Sequence, residues 1–500
     1  MSNDGRFQIG PLAIGAGALL GATLLAGRFS GLLREIELAA AFGVSDQADS
    51  AVLLLTLPDL FVNLLLSGGL SAALIPRLRA LDTQRAQVLL RQILLFAFLA
   101  FAAFAAVFSL APATWFGLLA PGLKAGSLPP SMAVAAAALA IPLTAASGVT
   151  TAGLNSQQRF FVAGCGTLIY NIIVIAALWV GRHGFAAQLV VLGIGIALGA
   201  AVRLLSQLVS LPRDWLLGPM WQPAPDVKFL RAFMAAAVTA SLMLLVPVII
   251  RALASTVSPG AIAALNYATK LVELPAGVLV SSLATVMLAR LSEHYGRGDT
   301  GQALQALHDG VRRSLANAVG AGILIAYFAG AFVKLLLGRG AMDAAAISRV
   351  VTLTQIIMVG LPFLALASMA IADLNAQEKP VVVLKATLGC LVLLPVLALP
   401  GMWADSEILL AWAIVGFQVL HASCLVWLSG LAIKGARNLF DRKTAVGMLS
   451  VLGLSALAIL FDWFLQSATS SNGIVRVALA TMALGVVVVL PQRIIGRQSI

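Results

Sequence analysis

The chain has 500 residues, of which 60% are hydrophobic and only 10% charged, with a net charge of +12. An ordinary soluble domain carries about a quarter charged residues, and apolar runs here repeatedly reach the ~20 residues needed to cross a bilayer. A soluble globular protein is therefore excluded, and the basic excess reads as cytoplasmic loops beside anionic lipid rather than as a nucleic-acid surface.

The first ten residues are polar, and the apolar run after them continues without a small-residue cleavage site, so no removable signal is expected. Hydropathy then places spans near 12–42, 50–75, 92–115, 131–154, 160–181, 187–209 and 231–254. Seven more follow near 261–290, 314–337, 346–373, 381–402, 407–433, 444–465 and 474–491. In lipid the backbone must satisfy its own hydrogen bonds, so each run is a helix. The expected fold is an all-α polytopic membrane protein with about fourteen transmembrane helices.

An even count puts both termini on one side. Arg77, Arg79, Arg85 and Arg91, then Arg213, Lys228 and Arg231, fall in loops on the N-terminal side, as do Arg290, Arg297, Arg312, Arg313, Lys434, Arg437, Arg442 and Lys443. Roughly 21 basic residues lie on that side against roughly 7 on the other, which predicts cytoplasmic termini by the positive-inside rule. The first outer loop carries Asp46 and Asp49 instead.

The chain also repeats itself. Arg34, Gly43 and Pro58 recur as Arg251, Gly260 and Pro275 at an offset of about 217 residues; Pro142, Leu154, Asn155 and Gln157 recur as Pro362, Leu374, Asn375 and Gln377 at about 220. Parallel repeats of this kind are a transporter architecture. The expectation is two pseudo-symmetric six-helix lobes, 10–212 and 226–435, facing a central cavity, with a C-terminal helix pair at 443–492. Proline frees a carbonyl and bends a membrane helix. Pro58, Pro275, Pro142 and Pro362, in matched places, are therefore candidate hinges, although proline is also simply commoner in membrane helices than in soluble ones.

Charges at bilayer depth are costly and usually face a cavity. Span one holds Arg28, Arg34, Glu35 and Glu37. Its two arginines differ in direction by about 120° around a helix, yet long side chains can converge on one polar surface. Either glutamate, or Asp49 from the next span, is a candidate ion-pair partner. Span eight adds Lys270 and Glu273 on one helix face. Asp59 and Asn63, four apart, share a face of span two. Arg251 is read either as a cavity gate or as an interfacial snorkelling residue. Guanidinium and ammonium groups gathered in a cavity suit a phosphate or pyrophosphate, and an amphiphile would leave its tail in lipid. The alternative is a set of ion pairs that only locks helices together.

The three cysteines, Cys165, Cys390 and Cys424, lie far apart within apolar runs and read as small buried hydrophobes. Four scattered histidines offer no ligand spacing, so neither a metal nor any other cofactor is expected. No sodium site is legible, and coupling to an ion or to the membrane potential is left open.

The stretch "GRFSGLLREIELAAAFGVSDQADSAVLLLTLPDLFVNLLLSGGLSAALIPRL" resembles the opening of the MurJ/MviN family, lipid II flippases of the multidrug/oligosaccharidyl-lipid/polysaccharide exporter superfamily. "LNYATKLVELPAGVLVSSLATVMLARLSEH" looks like that family's eighth helix, and "LLLGRGAMD" is similar to a segment after its ninth. The resemblance implies a monomeric flippase of the bacterial cytoplasmic membrane, surrounded by membrane lipids. It would move an undecaprenyl-pyrophosphate-linked saccharide from the inner to the outer leaflet by alternating access. The family's first-helix arginines match Arg28 and Arg34, its second-helix acid matches Asp49, and its eighth-helix arginine falls on Lys270. Together Arg28, Arg34 and Lys270 form the expected pyrophosphate site, with Glu35, Asp49, Asp59, Asn63, Arg251 and Glu273 as supporting polar residues. Three family positions differ: Thr56 replaces a basic residue, Val62 an arginine and Ser67 a glutamate. Two other readings follow from these losses, export of another lipid-linked oligosaccharide and a non-transporting scaffold of cell-wall synthesis. A membrane glycosyltransferase is disfavoured, because no loop exceeds roughly 25 residues and a sugar site needs positioned carboxylates.

Overall fold

The computed structural model describes residues 11–66, 69–184, 187–219, 245–430, 442–468 and 473–496. Among these the chain forms helices and no strand, as a backbone immersed in lipid requires. The first helices are α1 (Pro11–Phe42), α2 (Asp46–Leu66), α3 (Gly69–Ala80), α4 (Thr83–Leu110), α5 (Pro112–Leu119), α6 (Ser131–Ser156), α7 (Phe160–Arg182), α8 (Gln188–Ser210) and the short α9 (Arg213–Leu216). Then come α10 (Leu245–Ala254), α11 (Ala261–Pro275), α12 (Ser282–Gly296), α13 (Thr300–Leu337), α14 (Ala344–Met358), α15 (Leu361–Ala376), α16 (Pro380–Trp403), α17 (Glu407–Ser429), α18 (Arg442–Ala468) and α19 (Gly473–Gly496).

Among the described residues nine helices are long and apolar enough to cross a membrane, with α11 and α12 counted as one, and the bent pair α14–α15 makes a tenth. Hydropathy reads fourteen. The seventh of those, 231–254, lies mostly outside the described residues.

The chain divides into two compact units. One holds Met1–Ala41, Ser50–Leu118 and Lys124–Leu244; the other holds Phe42–Asp49, Leu119–Leu123 and Leu245–Ile500.

In the first unit the alanine-rich α6 is the central helix, packed against α4 and α8. Small residues let backbones approach closely in a membrane. A Cβ on Gly193 of α8 would lie 2.4 Å from the carbonyl oxygen of Ala133 on α6, so this crossing requires glycine. Leu74, Leu90, Val149 and Leu154 fill the interior beside it. Several polar groups inside are paired, as burial favours. Thr150 Oγ1 donates to Gln207 Oε1 at 2.6 Å, and Gln207 Nε2 donates to Thr151 Oγ1 at 2.9 Å. At the end of this unit Arg91 of α4 is buried and grips the chain after α8. Its Nη1 donates to the carbonyls of Asp214 and Leu217 at 2.6 and 2.9 Å, and its Nη2 to that of Pro219 at 3.1 Å.

The second unit is arranged around α13, which packs against α14, α15, α18 and α19. Phe328, Leu324, Val451, Ala480 and Val487 form one apolar cluster between α13 and the C-terminal pair. Aspartates start two of its helices. Asp299 accepts from Gln302 N at 3.0 Å, and Asp343 from Ala346 N at 2.7 Å, each satisfying a donor that the first turn leaves open.

The repeated sequence signals carry repeated backbone shapes. Gly43 and Gly260 both take left-handed conformations, φ 63° and 81°. The "LNSQQR" and "LNAQEK" segments close α6 and α15 with the same turn. Gln158 and Glu378 have φ 62° and 59°. Arg159 N donates to Leu154 O, and Lys379 N to Leu374 O, each at 2.9 Å.

The matched prolines are less alike. Pro58 and Pro142 sit inside unbroken helices. Pro275 ends α11 and is followed by a π-helical turn over Ala276–Ser281. Pro362 stands just past the break between α14 and α15, where the path bends by 43°. A missing N–H loosens the preceding turn. Of the four candidate hinges, only the two in the second unit adjoin such an irregularity.

Candidate functional site

Arg34 is buried on α1 at 6% exposure. Its Nη2 donates to Glu35 Oε1 at 2.9 Å, an ion pair with both side chains enclosed. Nη1 donates to Asn171 Oδ1 of α7 at 3.4 Å. Asn171 is itself buried, and its Nδ2 donates to Ser30 Oγ at 2.9 Å. The first unit therefore contains a cation set in a polar nest within an apolar bundle. Such a charge is tolerated only when paired and hydrogen-bonded.

Arg28, six residues earlier, is exposed and makes no ion pair or hydrogen bond among the described residues. One arginine of span one is thus enclosed and the other open. Glu37 pairs with neither: its partner is Arg182 of α7, at 3.2 Å. Glu35 is the acid that Arg34 takes.

Lys270 Nζ and Glu273 Oε2 on α11 meet at 2.8 Å across one helical turn. Their side chains are 31% and 52% exposed, so the pair is accessible and weakly held. Lys270 belongs to the second unit, Arg28 and Arg34 to the first. Arg251 donates Nη2 to Asn266 Oδ1 at 2.9 Å.

Asp49 is buried and works as a helix cap. Its Oδ2 accepts from Gly260 N and its Oδ1 from Ala263 N, both at 2.8 Å. These are the open donors at the start of α11, where a carboxylate also faces the positive end of the helix dipole. Tyr267 Oη donates to the Gly43 carbonyl at 3.1 Å. Beside this cap Arg349 of α14 grips Glu407 of α17 through Nε at 2.8 Å and Nη2 at 2.7 Å, and reaches Ser258 Oγ at 3.3 Å.

Thr56 is buried and turns its hydroxyl onto its own helix, donating to Val52 O at 2.6 Å. The side chains of Asp59, Val62, Asn63 and Ser67 lie outside the described residues. Three polar neighbours of the candidate residues escaped the sequence: Asn171, Ser30 and Arg349. Asn171 is a single polar residue in an apolar run, and Ser30 lies between Arg28 and Arg34, each a faint signal. Arg349 lies near the start of the tenth span, 346–373, and is assigned no role there.

Among the described residues no group of three or more His, Cys, Asp or Glu could hold a metal ion. His421 Nε2 of α17 lies 3.0 Å from Thr387 Oγ1 of α16. Cys390 is buried, while Cys165 and Cys424 are half-buried.

The arrangement is a bundle of apolar helices that carry basic side chains, one enclosed and others accessible. Solved structures share its architecture. A structure described as lipid II flippase MurJ in an inward closed conformation superposes with a TM-score of 0.80 over 96% of this chain and 100% of that one, at 17% identity. An inward-facing multidrug resistance MATE family transporter of the MOP superfamily gives 0.69 over 83% and 96%, at 14% identity. At these identities the likeness is one of fold. Sequence relatives are nearer. The lipid II flippase MurJ of Burkholderia cenocepacia is 26% identical over 387 residues, 74% of this chain and 75% of that protein. A probable lipid II flippase MurJ of Rhizobium tropici is 26% identical over 459 residues, 87% and 86% of the two. The family model for lipid II flippase MurJ matches residues 38–484, spanning every unit and nearly every helix described above, and the chain belongs to that family.

Proposed function

We propose that the chain is a flippase that carries an undecaprenyl-pyrophosphate-linked saccharide, lipid II in its family, across the cytoplasmic membrane by alternating access. The family match over residues 38–484 carries this reading. The shared fold with MOP-type transporters supports the transport mode.

In this reading Arg28, Arg34 and Lys270 bind the pyrophosphate. Arg28 and Lys270 are accessible for first contact, and Arg34 offers a guanidinium already fixed by hydrogen bonds. A planar fork presents paired N–H groups to phosphate oxygens. The polyprenyl tail stays in lipid, so the protein neutralises only the head. Glu35, Asp49, Asp59, Asn63, Arg251 and Glu273 are the supporting polar residues. The lobes are the repeats 10–212 and 226–435, with 443–492 appended. The recurrence of the Gly43/Gly260 and Gln158/Glu378 turns supports that division. Bending at Pro58, Pro142, Pro275 and Pro362 would accompany the exchange of states. The protein acts as a monomer with both termini cytoplasmic, as its basic loops imply.

One observation favours a second substrate. Thr56 spends its hydroxyl on Val52, and Val62 is apolar, so two positions that are basic in the family offer no cation here. Another lipid-linked oligosaccharide would then be the cargo. Depletion of the protein decides between them: accumulation of lipid II on the inner leaflet supports the first, accumulation of a different lipid-linked saccharide the second. Neither accumulating would leave a scaffold.

A further inference from the structure

Arg34 and Glu35 are neighbours in sequence, and adjacent side chains on a helix do not face one another. Their ion pair joins two groups on the same backbone turn and leaves the guanidinium plane to be set from elsewhere. The second contact comes from α7, 137 residues away, where Asn171 Oδ1 accepts from Arg34 Nη1.

The orientation of that amide follows from its surroundings. Gly27 O can only accept, and it lies 3.5 Å from Asn171 Nδ2. Ser30 Oγ gives its own proton to Gly27 O at 2.9 Å, which leaves its lone pair for Nδ2. The guanidinium can only donate. Asn171 must therefore turn its NH2 to Gly27 and Ser30 and its oxygen to Arg34; a flipped amide would oppose donor to donor. Protons run one way along the series Arg34, Asn171, Ser30, Gly27, so each bond polarises the next. Small residues bring the two helices together here. A Cβ on Gly27 would lie 3.5 Å from Thr167 of α7, and one on Gly31 would lie 3.8 Å from Asn171 Nδ2. Asn171 and Ser30 are 2% and 3% exposed.

We propose that Asn171 is a positioning residue: it aims the Arg34 guanidinium at the substrate's pyrophosphate without touching the substrate itself. The inference rests on the reading of Arg34 as a pyrophosphate ligand, and it adds a residue to that site which no charge marks.

A double-mutant cycle tests it, with the full chain in detergent micelles and undecaprenyl pyrophosphate as the probe. Asn171→Ala should weaken binding about tenfold, the scale of one hydrogen bond to a charged group. Arg34→Ala should weaken it at least as much. Adding Asn171→Ala to Arg34→Ala should then cost nothing more. Equal losses in both backgrounds would mean that Asn171 serves only the bundle and would overturn the proposal. Normal binding by Asn171→Ala, with Arg34→Ala impaired, removes the positioning role alone. Normal binding by Arg34→Ala removes the pyrophosphate reading and this inference with it. If Asn171→Ala does not fold, Ser30→Ala decides. It frees the amide while leaving α7 intact, and should weaken binding about threefold only while Arg34 is present. No loss, or a loss independent of Arg34, would refute the proposal.

Discussion

The Asp49 carboxylate closes the start of α11 by accepting the backbone N–H of Ala263 at 2.8 Å, and its other oxygen takes Gly260 N at the same distance. Asn at this position keeps one acceptor and loses both the second and the charge. Asp49→Asn should therefore lower stability by about 1 kcal/mol. Thermal unfolding in detergent, followed by tryptophan fluorescence, measures it. An unchanged midpoint would mean that the cap contributes nothing.

Two left-handed glycines allow a controlled comparison. Gly184 has φ 84° with open space around it, whereas a Cβ on Gly260, at φ 81°, would meet Val44 Cγ1 at 2.7 Å and Ser45 N at 2.9 Å. Gly184→Ala should cost only the backbone term, about 1 kcal/mol. Gly260→Ala should cost visibly more, because backbone must move. Expression level and unfolding midpoint of the two variants give the ranking, and equal effects would contradict it.

Arg476 and Asp462 fix the C-terminal pair to α13. Nε and Nη2 reach the two carboxylate oxygens at 3.1 and 3.0 Å, and Tyr327 Oη donates to Oδ2 at 3.2 Å. Asp462 is wholly buried. Removing one partner strands a charge, so Arg476→Leu should destabilise by about 3 kcal/mol or more, whereas Arg476→Leu with Asp462→Leu should recover most of that loss. The unfolding midpoints of the single and double variants check the sign.

For Arg34 the structure names the control as well as the test. Arg34→Ala removes the ion-pair partner of the buried Glu35, which is 3% exposed, and should lower protein level through that loss. Arg34→Ala with Glu35→Gln should restore the level yet still fail to support growth of cells depleted of their own flippase. Arg34→Lys should retain little activity if a planar two-pronged contact is needed. Growth of the double variant would reduce Arg34 to a structural ion.

Topology is checked by reporter fusions after Arg85 and Arg437. Both should report cytoplasm, because basic loops stay on that side. A periplasmic signal at either site would invert the assignment.

Much of this molecule could be read before its coordinates. Apolar runs must be helices in lipid, so the class followed from hydropathy. The recurring turns were legible because their marks are conformational: Gly43 and Gly260 sit where the chain turns left-handed. The partners of charged groups were not legible. Sequence chemistry offered Asp49 an arginine, but a helix start presents open N–H groups that leave no trace in composition. Arg34 met an uncharged amide on another helix, a contact that proximity in the chain could not reveal. The unequal backbone at the four matched prolines was hidden for a similar reason. Proline marks where a helix can yield, and neighbouring helices decide whether it does.

The grip of Arg91 has one more implication, for engineering. Every group it holds in the segment 214–219 is a main-chain carbonyl, and carbonyls are the same in every residue. The anchor is blind to side-chain identity, so its exposed positions can be rewritten, or carry a label, without loosening it. Gly218 is the exception. It has φ 138°, and a Cβ there would lie 3.1 Å from Arg91 Nη1; Trp215 and Leu216 pack against the Leu90 cluster, so a tag or cross-linker belongs at the exposed Asp214 or Leu217 and never at position 218.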